Sequence, residues 1–325
     1  MTPLEQALRQ QIQAEGPITV EAFMEACNTY YYTTRDPLGL AGDFTTAPEI
    51  SQMFGELVGA ALADSWSRTE KPSDAVYAEL GPGRGTLAAD ALRMLRTAGF
   101  SGQAHLIETS PILRQMQKTA VPDADWHESL ADLPEKPLLL VANEFLDALP
   151  IHQFVHGSER RVQLVAGGLA FDRDGETVEL SPAREHVVKV VAERLVRNGG
   201  VALIIDYGHA RSGNGDTLQA VRRHGFSPVL AQPGEQDLTS HVDFEAVARA
   251  ASSVGASVTP LVTQSEWLKR IGIEARAAAL AGANPDRIEE IDTGLHRLTA
   301  PDQMGDLFKV IAIHSPKWPI PAGFA

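Results

Sequence analysis

The feature that most constrains this chain is a glycine-rich turn set between an apolar run and an amphipathic one. It reads Val76-Tyr77-Ala78-Glu79-Leu80-Gly81-Pro82-Gly83-Arg84-Gly85-Thr86. Residues 75–80 have the composition of a short buried strand, and residues 86–98 that of a helix stopped by Gly99. Glycines in such a turn let the backbone reverse sharply and let a ligand approach where a Cβ would otherwise stand. The helix that follows offers unpaired N–H groups and the positive end of its dipole. This strand–loop–helix unit predicts an α/β sheet that binds a nucleotide or nucleoside.

The rest of the chain repeats the rhythm. Residues 104–107, 138–142 and 201–205 read as strands, 111–119 as a helix, and a weak strand fits near 124–126. Strands alternating with helices predict a mostly parallel, doubly wound, Rossmann-like sheet. Upstream, Leu4, Leu8 and Ile12 recur at helical spacing, and Thr19 is placed to cap a second helix holding Val20, Phe23 and Met24. Residues 30–48 fit no period and predict an ordered loop; a helix from Pro48 to about Arg68 follows. The reading is therefore a helical N-terminal segment over 1–70 and an α/β domain over 71–325. Within that domain, 151–180 read as a β-meander insertion, 207–240 as a long loop, and about 264–300 as a helical insertion before a last strand at 307–313.

Charge narrows the partners. A net charge of −14 and a pI near 5.1 repel polyanions, and Arg160-Arg161 and Arg222-Arg223 are isolated pairs, so no nucleic acid is expected. The one cysteine, Cys27, excludes an intrachain disulfide and a Cys-rich metal site. Asp206, His209, Asp237, His241 and Asp243 lack tight ligand spacing, so no metal is expected. The N-terminus lacks the basic and apolar blocks of a signal peptide, and no apolar run approaches the roughly 20 residues of a membrane span. Neither membrane insertion nor export is expected, which gives a cytoplasmic placement.

The ligand is chosen by glycine spacing. The dinucleotide fingerprint G-x-G-x-x-G fails, because the glycines fall at 81, 83 and 85 and position 86 is Thr. Glu79, two residues before the first glycine, suits the ammonium of an amino-acid moiety better than a pyrophosphate. Glu108, closing the second strand, can accept both hydroxyls of a ribose; a helix cap is the alternative. Asp125-Trp126 would follow the third strand, where Trp126 can stack on adenine or simply pack in the core. Asn143 ends the strand that precedes Glu144-Phe145-Leu146-Asp147. Glu144 and Asp147, three apart, would share one face of a turn and could orient a guanidinium, or else cap that turn. His241, between Asp237 and Asp243, is a candidate base or substrate clamp; Thr239 or Ser240 capping the next helix is the plainer reading of that loop.

The glycine loop with Glu79 resembles the first motif of class I S-adenosylmethionine-dependent methyltransferases. Further stretches resemble the MidA-like family of that class: 31–34, Gly42-Asp43-Phe44-Thr45-Thr46-Ala47-Pro48-Glu49-Ile50-Ser51 with Phe54-Gly55-Glu56, 143–150, Asp206-Tyr207-Gly208-His209, 215–218, 233–244 and Gly272-Ile273. The resemblance implies a methyltransferase core over 71–325 with S-adenosyl-L-methionine as cofactor. It implies Glu79, Gly81, Gly83, Gly85 and Glu108 at the cofactor. It also implies a protein acceptor, arginine favoured, with respiratory complex I assembly as its setting in the mitochondrial branch. A small-molecule acceptor, or a chaperone that binds the cofactor without catalysis, are the alternatives. The 42–51 stretch either lids the site or fixes the helix after it.

Overall fold

Alternate residues of the central strands feed two apolar layers, one on each face of the sheet. Tyr77, Leu139, Val141, Leu203 and Ile205 face one layer; Val76, Ala78, Leu140, Ala202 and Ile204 face the other. Strands buried on both faces are the mark of a parallel sheet covered by helices. The structure is a computed structural model and describes residues 2–34 and 45–324. Its main sheet runs in the order Ser257–Val258, Phe308–His314, Gly200–His209, Leu138–Asn143, Val76–Leu80, Ala104–Ile107, Asp125–His127. The last five are parallel, and Phe308–His314 enters antiparallel beside Gly200–His209. The predicted Rossmann-like core is therefore present. Strand order reverses between Val76–Leu80 and Leu138–Asn143, the place where ligands sit in such sheets.

The predicted helix from Pro48 to Arg68 is two helices, Ala47–Ile50 and Gln52–Ser67. Ser51 breaks it with an extended backbone (φ −159°), and its hydroxyl accepts from the Met53 amide to cap the second helix. That helix lies hard on Thr86–Thr97: a Cβ on Gly59 would stand 2.5 Å from the Ala91 carbonyl oxygen. Glu56, on the same helix, is buried and takes hydrogen bonds from Arg93 (2.6 Å) and Arg276 (2.6 and 2.9 Å). Burial pushes its pKa up, but the two guanidiniums win and the carboxyl sits below its ordinary value. A lowered carboxyl pKa stabilises the fold above the unfolded pKa and loses that contribution as pH falls through the folded one. Glu56→Gln is expected to cost roughly 1–3 kcal/mol at pH 7, discounted for half-exposed arginine partners, with the gap narrowing below about pH 4. Urea unfolding at both pH values checks this.

The first two helices, Pro3–Glu15 and Val20–Thr34, pack elsewhere. Leu8, Ile12, Phe23 and Met24 form a third core with Ile151, Val162, Leu218 and Leu238. The region read as one meander is divided between two three-stranded sheets. His152–Val155 lies between Ser158–Glu159 and Thr177–Leu180, whereas Arg161–Val165 lies between Gly168–Phe171 and the N-terminal strand Ile18–Thr19. The long loop is likewise corrected: Gln219–Arg222, Gly225–Ser227 and Asp237–Thr239 make a small sheet of their own. Its strands are only three or four residues long among glycines and prolines, too short to give a readable alternation.

Candidate active site

The loops that leave the two strands at the switch point, with residues from the N-terminal helices and the small sheet, enclose one cavity of about 760 Å³. Glu79, Gly81, Gly83 and Glu108 line one part; Asn143, Glu144, Asp147, Asp237 and His241 line another. Eight of the eleven residues singled out from sequence thus meet in one space, Glu79, Gly81, Gly83, Glu108, Asn143, Glu144, Asp147 and His241. The described lining carries seven carboxylates, Glu25, Glu49, Glu79, Glu108, Glu144, Asp147 and Asp237, against the single guanidinium of Arg84. Burial holds several of them above their ordinary pKa, and a cation among them would draw them to ionise, so the lining favours a cationic ligand.

At the glycine loop, Gly81, Gly83 and Gly85 have φ of 60°, 54° and 84°, a backbone that L side chains rarely adopt. A Cβ on Gly81 would meet the Phe145 ring at 2.9 Å. Gly85 has a different place from its neighbours: it opens the helix Thr86–Thr97 and packs against Ala120 and Gln117, away from the cavity lining. Glu79 is buried, its carboxylate accepts from the Tyr77 hydroxyl alone (2.6 Å) among the described residues, and burial pushes its pKa up to about 8. Glu108 accepts from the Ser110 amide (2.8 Å) and the Gln117 side chain (3.1 Å), so the helix-start role and a face toward the cavity coexist. Gln117, missed in the sequence, is fully buried and also donates to the Gly83 carbonyl (2.7 Å). It ties the glycine loop to Glu108.

Asp125 and Trp126 do not belong to this cavity. Their strand runs one residue further than the sequence suggested, to His127, so both precede its ligand-facing end. Trp126 packs against the core and donates to Gln117 (2.9 Å); Asp125 is exposed, 3.8 Å from His105. The adenine role read for them is withdrawn.

Glu144 holds a left-handed backbone (φ 49°), unusual for a residue with a side chain and a frequent sign of a functional constraint. Its carboxylate accepts from the Ala47 amide and the Asn143 side chain, both at 3.2 Å. Burial first, and the charge of Asp147 second, push its pKa up to about 8. Asp147 is also raised, by burial, and its Oδ1 has no hydrogen-bond partner among the described residues; nor has the Oδ1 of Asn143. Beneath them Asp206 accepts the Leu146 and Asp147 amides (3.0 and 3.2 Å). Arg184 takes the carbonyls of Leu146 (2.6 Å), Asp147 (3.0 Å), Ser240 (3.1 Å) and His241 (2.7 Å). One guanidinium therefore fixes both catalytic candidate loops from behind. His241 lies edge-on to Tyr207, and burial and then His209 lower its pKa, so it is neutral at neutral pH. Among the described residues no group of three or more His, Cys, Asp or Glu could hold a metal ion.

Of the 42–51 stretch, residues 42–44 lie outside the described residues. Thr45, Thr46, Pro48 and Glu49 line the cavity, Ala47 reaches Glu144, and Glu49 accepts from Thr86 and pairs with Arg84 at 3.6 Å.

The raised pKa of Glu144 has a stability consequence. Its stabilising share is fully present below the unfolded carboxyl pKa near 4.3 and is lost as pH rises through about 8. Glu144→Gln keeps the acceptor oxygen and removes the charge. The variant is expected to melt several degrees above the parent protein at pH 8.5 and alongside it at pH 4.5, as read by scanning calorimetry without ligand.

Comparison with known proteins returns one consistent picture. A family model described as an S-adenosyl-L-methionine-dependent methyltransferase matches residues 57–173 and 159–262. The "Protein arginine methyltransferase NDUFAF7 homolog, mitochondrial" of Drosophila melanogaster is 37% identical over 390 aligned positions, gaps included, that cover 99% of this chain and 88% of that protein. The Homo sapiens protein arginine methyltransferase NDUFAF7, mitochondrial, is 32% identical over 371 aligned positions, gaps included, that cover 96% of this chain and 83% of that one. A Burkholderia thailandensis protein solved with S-adenosyl-homocysteine bound superposes with a TM-score of 0.87 at 26% identity, covering 98% of this chain and 93% of its own. The cytoplasmic placement read from the N-terminus does not stand, since these animal relatives are named as mitochondrial proteins. No helix among the described residues is long and apolar enough to cross a membrane.

Proposed function

Since this chain belongs to the MidA-like family of S-adenosyl-L-methionine-dependent methyltransferases, we propose that it methylates arginine in a protein, with Glu144 and Asp147 holding the guanidinium. S-adenosyl-L-methionine is its cofactor. The cavity suits that cation. Glu79, uncharged at neutral pH by burial, is drawn to ionise by an ammonium beside it, and the Asn143 Oδ1 is a buried acceptor awaiting a donor. Gly81 and Gly83 leave room at the loop, and Glu108, steadied by Gln117 and Ser110, would accept the ribose hydroxyls. When bound, the cofactor supplies an electrophilic methyl group.

The observation that carries the acceptor is the pair Glu144–Asp147, buried together in the cavity of the glycine loop, with the Oδ1 of Asp147 unpartnered among the described residues. A guanidinium stays protonated to above about pH 12 and attacks poorly through nitrogen. Two carboxylates can fix its plane by paired hydrogen bonds, bias its electrons to one nitrogen and receive the displaced proton. Glu144, with its pKa lifted into the neutral range, is suited to take that proton; neutral His241 is the second acceptor within the same cavity. The relatives' names support the protein-arginine part of this reading. A respiratory complex I subunit as that protein rests on the family resemblance alone. The test is incubation with methyl-labelled cofactor and soluble lysate, followed by mass spectrometry of the labelled protein. Methyl-arginine supports the reading; label confined to small molecules rejects it.

A further inference from the structure

The reaction cavity has a neighbour. A second cavity, of about 400 Å³, lies among the strand Thr177–Leu180 and the first turns of the helices Pro182–Asn198 and Phe244–Ser253. At roughly 30 Å³ for each molecule of liquid water, it has room for several waters. Leu180, Ser212, Gly213 and Asn214 in its lining are exposed, so it opens to solvent. Among the described residues His241 alone lines both cavities. On the first side it shares the lining with Glu144 and Asp147; on the second, with His209, Glu179 and Asp243.

His241 is fixed between them. Its backbone N–H donates to the Thr217 hydroxyl (2.9 Å), and its carbonyl accepts from Arg184 (2.7 Å). The Thr217 hydroxyl donates to Glu179 (2.5 Å), which also accepts from the Thr217 and Leu218 amides (3.0 and 3.2 Å) and from Gln153 (2.8 Å). No residue of the 215–218 stretch lines the reaction cavity; through Thr217 it sets where His241 stands. The imidazole packs edge-on to Tyr207, at 5.7 Å between centroids. The titratable and charged groups around it are His209, Glu179, Arg184 and Lys309, and burial and then His209 lower its pKa. A neutral ring is ready to accept a proton.

Methyl transfer to arginine releases one proton. The attacking nitrogen forms a bond to the methyl carbon, the carbon–sulfur bond breaks with its electron pair left on sulfur, and the product guanidinium remains a cation. One N–H proton must therefore leave. Glu144 and Asp147 can receive it, but a buried carboxyl that keeps it cannot serve the next turnover. With cofactor and acceptor both seated, the first cavity holds little water to carry it away. We propose that His241 is the outlet for that proton: it accepts the proton from the reaction cavity and releases it to water in the second cavity. An imidazole can do both, because it gains a proton on one nitrogen and loses one from the other. Glu179 and Asp243, in the second cavity, favour the imidazolium as it forms. The inference rests on the protein-arginine reading.

The test follows methyl-arginine formation by the full-length protein from labelled cofactor and gel-filtered soluble lysate, with and without added imidazole. Circular dichroism and calorimetric titration of S-adenosyl-homocysteine run alongside. His241→Ala and His241→Gln are each expected to lower the rate tenfold or more, with S-adenosyl-homocysteine affinity within twofold of the parent protein. Imidazole should restore His241→Ala to within threefold of the parent rate and leave His241→Gln, whose amide fills the space, unchanged. Adding Ala246→Phe to His241→Ala narrows the second cavity and should abolish that rescue. Parent-rate labelling by either single variant overturns the outlet and leaves the arginine reading intact. A loss in His241→Ala that imidazole does not relieve makes the ring structural and overturns the outlet, as does a rescue that survives Ala246→Phe. Loss of S-adenosyl-homocysteine binding in both single variants assigns His241 to the cofactor and also overturns it. Absence of methyl-arginine with the parent protein overturns the arginine reading, and the outlet falls with it.

Discussion

Glu144→Gln is expected to leave the affinity for S-adenosyl-homocysteine within about threefold of the parent protein while cutting methyl transfer by two orders of magnitude or more. The substitution is nearly isosteric. The side-chain oxygen can still accept from the Ala47 amide and from Asn143, so the left-handed turn at φ 49° and the loop it carries should persist. What disappears is a charge that burial and Asp147 already make costly, which is why the variant gains stability at high pH as it loses rate. Asp147→Asn should fall with it, because the two carboxylates would act on one guanidinium and their losses would not add. A neutral small-molecule acceptor makes no such demand for negative charge. Parent-level transfer by both variants would mean that the pair only shapes the turn. A kcat/KM profile rising toward about pH 8 in the parent, and flat in Glu144→Gln, ties the rate to this carboxyl, since its charged form appears as pH climbs through that value.

What could be read from the sequence was whatever repeats or sits within a few residues. The strand Ala104–Ile107 and the helix beginning at Pro111 lie where the apolar runs and the proline placed them. The glycine loop was legible because its three left-handed residues are glycines. Ser51 was not legible as a break, since a serine in a helical pattern carries no steric signal comparable to proline; its role emerges only when its hydroxyl caps the next helix. Asp125-Trp126 failed for want of a boundary: a three-residue strand gives no period, and a shift of one residue moves a side chain to the other face. The supports were hidden for another reason. Arg184 reaches Leu146 and Ser240 across 38 and 56 residues of chain, and Asn28 holds the Ala148 and Leu238 carbonyls across 120 and 210. An arginine in the first turn of an amphipathic helix reads as a solvated face until the loops fold over it. Asp206, after the apolar run 201–205, enters the sequence reading only as a metal-ligand candidate and a family match, and Gln117, on the buried side of its helix, does not enter it at all.

Gln117 bears directly on the second large effect. Glu108→Ala is expected to weaken S-adenosyl-homocysteine binding by roughly 10- to 100-fold, the range of about 1.5–3 kcal/mol for hydrogen bonds to a charged group. The native carboxylate already accepts from Ser110 and Gln117, and burial raises its pKa while those partners pull it back. Its remaining lone pairs are the ones a ribose would use. Truncation does two things at once. It deletes those acceptors, and it strands a buried amide N–H and the Gln117 side chain that also holds the Gly83 carbonyl. Lower affinity alone cannot separate a lost ribose contact from a loosened glycine loop. The separation comes from a ligand change: the 2′,3′-dideoxy analogue of S-adenosyl-homocysteine lacks the hydroxyls and should bind the parent protein as weakly as the natural ligand binds Glu108→Ala. In the variant the two ligands should then bind alike, because the partner of the hydroxyls is gone. If Glu108→Ala still discriminates against the dideoxy ligand as strongly as the parent does, the hydroxyls are held elsewhere. The work of Glu108 would then be to anchor Gln117 and, through it, the loop of Gly83.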